Sequence, residues 1–69
     1  MQFYKVLRYT GNPHIKKFML LNMQHIVTIE PKSYDAKDLT SIHMIDGEYI
    51  LVNTPFKDML ARLTNEGWL

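Results

Sequence analysis

Breaker residues cut the first 53 positions of this 69-residue chain into pieces that suit strands and leave no room for a helix. Gly11-Asn12-Pro13 ends the opening run, Asn22 ends the next, Pro31 stops the third, and Asp46-Gly47 divides the fourth. Glycine and asparagine accept turn geometry, and proline has no N–H to give to a ladder. The runs between these breakers favour a pleated, half-buried surface. Met1–Thr10 carries Phe3, Tyr4, Val6, Leu7 and Tyr9, and Lys16–Leu21 reads KKFMLL. His25–Glu30 reads HIVTIE and follows NMQH, a short turn. Lys32–Asp38 reads as a polar, flexible connection with Tyr34 its only large apolar residue.

Asp46-Gly47 is the sharpest local signal, because a type I′ hairpin turn needs positive φ at both central positions. A two-residue loop between Leu39–Ile45 and Glu48–Asn53 predicts that Met44 opposes Tyr49 and Ile42 opposes Leu51 on one face. His43 then opposes Ile50, and Ser41 opposes Val52, on the other. Both faces are apolar under this register, which predicts central strands or a curled sheet.

Beyond Asn53 the hydrophobic period changes. Thr54 is the expected N-cap and Pro55 the first helical residue. Phe56, Met59, Leu60 and Leu63 then follow the spacing of one buried stripe, with Lys57, Asp58, Arg62 and Glu66 on the polar side. Gly67 suits the C′ position of a Schellman motif, with Trp68 folding back on Leu63. The expected fold is α+β, in one domain over 1–69. A small curled antiparallel sheet of about five short strands, SH3-like or half-barrel, occupies 1–53, and one C-terminal helix over 54–66 closes it.

Composition narrows the function classes. There is no cysteine, which excludes disulfides and thiolate-bound zinc and suits a reducing compartment. The hydrophobic fraction of 46% is that of a globular chain. Phe18–Leu21, the longest apolar run, is far too short to span a membrane, and no basic-then-apolar leader opens the chain. A cytoplasmic location is expected. A net charge of +1 supplies no field toward nucleic acid or anionic lipid. A small core without disulfides makes a protein partner or a homo-oligomer the natural expectation.

No chemistry is written in the motifs. His14, His25 and His43 fall on separate elements without ligand spacing. Asp46 is used by the turn, Asp58 sits where a helix start favours negative charge, and no two carboxylates are placed as an acid/base couple. Ser33 and Ser41 lack a nucleophile signature, and the three glycines form no phosphate-cradling loop. No catalytic, metal or cofactor residue is assigned, and no enzymatic activity is expected.

Two binding surfaces remain. Trp68 and Leu69, with Arg62 on the helix and Tyr34 in the polar connection, are the candidate protein-binding residues. The first hairpin interleaves Lys5, Arg8, Lys16 and Lys17 with Tyr4, Tyr9 and Phe18, the pattern by which single-stranded nucleic acid is held through phosphates and stacked bases. Balanced net charge favours the plainer assignment for that hairpin, with cations in solvent and rings in the core.

VLRYTGN, LLN, HIVTIEP, SIHMIDGEYILV and TPFKDMLARL, in this order across nearly the whole chain, resemble the small flagellar FlbD/SwrD-like family of bacterial proteins. NPHIKK lengthens the first turn and KSYDAK replaces a shorter turn before the fourth strand. The resemblance implies a non-enzymatic accessory protein acting through protein contacts, as an adaptor; a phage or plasmid inhibitor of a host enzyme would share the same pattern. HIVTIE, IHMIDGEYILV and FKDMLARL are also similar to the first half of a LytTR domain. The basic, histidine-containing segment that contacts DNA in that family has no counterpart here, so this second likeness implies fold rather than DNA binding.

Overall fold

The computed structural model describes residues 2–69; Met1, at the head of the expected first strand, lies outside the described residues. Five strands form one antiparallel sheet: β1 (Phe3–Arg8), β2 (Lys17–Asn22), β3 (Ile26–Tyr34), β4 (Lys37–Met44) and β5 (Tyr49–Val52). A turn of 3-10 helix (Met23–His25) joins β2 to β3, and helix α1 (Phe56–Asn65) follows β5. The fold is α+β, as the sequence pattern predicts, and the sheet is open rather than closed into a barrel. Its strand order is β2-β1-β5-β4-β3, so the two edge strands are consecutive in sequence.

Alternation along the strands sends one set of side chains to a single core. Val6, Leu21, Ile42, Ile50 and Val52 meet Met59 and Leu63 of α1, all at most 5% exposed. Tyr4, Met19, Ile29 and Trp68 pack around this cluster. Burying each such aliphatic side chain is worth roughly 1.5–3 kcal/mol, so the helix-covered face carries most of the stability. Thr40 is also fully buried, and its Oγ1 donates to the Thr54 carbonyl at 2.8 Å. That bond satisfies a hydroxyl inside the core and ties β4 to the chain entering α1.

Four local expectations are corrected. The β4–β5 loop holds three residues, Ile45-Asp46-Gly47, rather than two: the Met44 N–H donates to the Glu48 carbonyl at 2.8 Å and the Gly47 N–H to the Met44 carbonyl at 3.0 Å. Gly47 takes φ 90°, the left-handed position of a turn followed by a bulge. The register slips by one, so Ile42 opposes Ile50, His43 opposes Tyr49, Ser41 opposes Leu51 and Thr40 opposes Val52. A slip of one residue exchanges which strand's side chains are neighbours on each face.

Pro31 does not stop β3, which runs on to Tyr34 with Pro31 opposite Thr40. β3 is an edge strand, and alternation from the Tyr34–Lys37 closing pair turns the Pro31 nitrogen outward, where no donor is required. Lys32–Asp38, expected as a flexible connection, is instead a tight hairpin. Asp35 and Ala36 both take positive φ, 53° and 58°, as a type I′ turn demands. Finally, α1 begins later than expected. Pro55, at ψ 144°, is itself the N-cap, and no side chain caps the helix. The Thr54 carbonyl is engaged by Thr40, while the Pro55 carbonyl accepts from Met59 N–H at 3.0 Å.

The helix C-terminus follows the expected motif. Trp68 N–H donates to the Leu63 carbonyl at 2.8 Å and Gly67 N–H to the Thr64 carbonyl at 3.2 Å, with Gly67 at φ 82°. These two bonds define a Schellman cap.

Candidate protein-binding surface

Because side chains alternate, everything not sent to the core from β1–β5 forms a second face, which α1 does not cover. Paired positions place Lys5 beside Leu20, Leu7 beside Phe18, and His43 beside Tyr49 on that face. The exposed residues are large: Phe18 is 57% exposed, Leu20 65% and Tyr49 63%. Soluble domains seldom leave so many bulky apolar groups together on one side of a small sheet without a use for them.

These rings are already paired. The Lys5 ammonium lies 4.6 Å from the Phe18 ring centroid. His43 and Tyr49 stack at 4.3 Å with planes 6° apart, across their cross-strand pair. Tyr9 meets Tyr34 edge to face at 5.7 Å, and the Lys37 ammonium lies 5.7 Å from the Tyr9 ring centroid. The Tyr9 hydroxyl donates to Asp35 at 3.4 Å, which links the first strand to the β3–β4 turn. Such contacts fix rotamers in advance and lower the entropy a binding partner must overcome.

The residues singled out from sequence are distributed as follows. Lys5, Tyr9 and Phe18 belong to the uncovered face, and Lys16 lines a shallow cleft with Tyr9 and Lys37. Tyr4, Arg8 and Lys17 alternate onto the helix-covered side: Tyr4 faces Leu21, and Arg8 lies between Lys17 and Val52. The basic hairpin set is therefore split between two faces. Of the candidate protein-binding residues, Tyr34 joins the uncovered face beside Tyr9, whereas Trp68 packs edge to face on Tyr4 at 6.4 Å and against the core. Arg62 lies on α1, and Leu69 is exposed beyond the helix cap.

The Tyr4 hydroxyl donates to Glu66 at 2.9 Å. Partial burial first, and the Glu66 hydrogen bond and charge next, hold this phenol above its ordinary pKa against the opposing influence of Arg62. It clips the helix end to β1.

Phe3, Leu20, His43 and Tyr49 were not singled out from sequence, although they lie on the uncovered face. Strand parity was the available signal, and for His43 and Tyr49 it was hidden by the one-residue difference in the β4–β5 loop. Among the described residues, no three His, Cys, Asp or Glu are grouped to hold a metal ion, and no helix is long and apolar enough to cross a membrane. Compared with protein-family models, curated proteins and solved structures, the chain matches none.

Proposed function

We propose that this protein is a non-enzymatic accessory protein that works by binding another protein through the uncovered face of its sheet. One observation carries the proposal: α1 covers one face, and the other leaves Phe18, Leu20, Tyr34 and Tyr49 more than half exposed. Aromatic anchors braced by neighbours are the usual centre of a protein interface. The ordered likeness to FlbD/SwrD-like flagellar proteins supports an adaptor role of this kind, and an inhibitor of a partner enzyme would use the same surface.

The nucleic-acid reading is less well supported by the same geometry. Lys5 occupies one face of the Phe18 ring, and His43 occupies one face of Tyr49, so bases would compete for stacking positions already in use. Arg8 and Lys17 fall on the helix-covered side, away from Lys5.

The test is affinity capture of the tagged protein from native lysate with and without nuclease, in parallel with a Phe18→Ser/Tyr49→Ser variant. A stoichiometric protein that survives nuclease and is lost with the double variant is the expected result. Recovery that collapses with nuclease would overturn the proposal in favour of nucleic acid.

A further inference from the structure

The two edges of the sheet are built differently, and the difference points to a second site. On β3 the outward main-chain groups belong to Ile29, Pro31 and Ser33, by alternation from the Tyr34–Lys37 hairpin pair. Pro31 removes the middle donor of that row. A bulge between Ile26 and Thr28 distorts one end, and Glu30 and Lys32 put charge along the strand. These are the devices by which sheets prevent edge-to-edge pairing.

Past its first residue, β2 has none of them. Met23 N–H donates to the Gln2 carbonyl, so the bonded pairs of the β1–β2 ladder are Leu21 with Tyr4, Met19 with Val6 and Lys17 with Arg8. The N–H and C=O groups of Phe18, Leu20 and Asn22 therefore point away from β1, in an unbroken row. The strand has no proline and no bulge, and its only charge stands at its first residue.

We infer that β2 is a self-association edge, at which a second copy of this chain adds its own β2 antiparallel across a two-fold axis. Charge selects this occupant and this direction. Lys16 and Lys17 stand exposed at the start of β2. At its other end, Asp46 and Glu48 share a cleft with Leu20 and Asn22. Antiparallel pairing brings the basic end of each copy to the acidic end of the other, whereas parallel pairing would set lysines against lysines. A register centred on Met19 places Phe18 of each copy beside Leu20 of the other, so two of the most exposed apolar residues of the sheet gain a cross-strand neighbour. The axis is normal to the sheet, so the uncovered faces of both copies lie on the same side.

The experiment is sedimentation equilibrium of the purified chain, which reads self-association without reference to the partner sought in lysate. A concentration-dependent dimer is expected. Leu20→Pro removes an outward N–H and leaves the β1 ladder intact, and it raises the dimer dissociation constant about a hundredfold, the scale for losing the hydrogen bonds made by two outward N–H groups. Lys16→Glu/Lys17→Glu keeps the backbone unchanged and should also dissociate the dimer, and adding Glu48→Lys to it should restore association. A wild-type chain that stays monomeric up to about 1 mM, the limit of weak association, overturns the inference. So does a dimer indifferent to the charge reversal.

Discussion

The two faces of this sheet share every strand and differ in nearly everything else. The covered face reaches almost zero exposure at Val52, Ile42 and Ile50, and the hydroxyl of Thr40 buried there is bonded. The uncovered face holds residues of similar size more than half exposed, braced by lysine-on-ring and ring-on-ring contacts rather than by depth. Folding accounts for the first face completely. It does not require the second, since single cation–ring contacts at exposed sites are worth only about 0.5–1 kcal/mol.

Substitutions separate the two. Ile42→Ala on the covered face should cost about 2–5 kcal/mol, a large part of the stability of so small a domain, measured as a shifted urea midpoint with unchanged slope. A cost below about 1 kcal/mol would mean the core is not where the contacts place it. Ala36 belongs to neither face and holds a left-handed conformation that alanine disfavours. Ala36→Gly should therefore stabilise the chain by about 1 kcal/mol, seen as a higher melting temperature, and a loss would show that the turn is not strained there. Smallest of all, Tyr49→Ser should change stability by less than about 1 kcal/mol while abolishing partner capture. If Tyr49→Ser instead unfolds the chain, the uncovered face is structural and the division fails.

Much of this was legible in the residues. The Gly67 cap, the five runs of strand and the Met59 and Leu63 positions of the helix stripe follow from period and turn chemistry, whereas Leu60, expected in that stripe, lies 37% exposed at its margin. Where reading failed, the physical cause is specific. Asp46-Gly47 signals a turn, yet Asp-Gly suits both a two-residue loop and the end of a three-residue one, and only the Met44–Glu48 pairing decides. Asp35-Ala36 carries no turn signature, because alanine seldom enters positive φ. Pro31 reads as a stop unless the strand is known to lie at an edge. The uncovered face inherits each of these difficulties, since its membership depends on register, and register depends on loops.

One thin seam has a kinetic meaning. β1 and β2 form a local hairpin, and β3, β4 and β5 a local meander; the two units are joined in the sheet through Arg8 opposite Val52, flanked by Tyr9 to Leu51 at 2.9 Å and Asn53 to Leu7 at 2.8 Å. These partners are far apart in the chain, so closing the seam carries the largest loop entropy of any strand pairing in the sheet. Each unit assembles within its own segment, and the sheet becomes whole only when the seam shuts. Among the hydrogen-bonded amides that hold the sheet together, those of Tyr9 and Asn53 are then the first to exchange with solvent when the native molecule breathes.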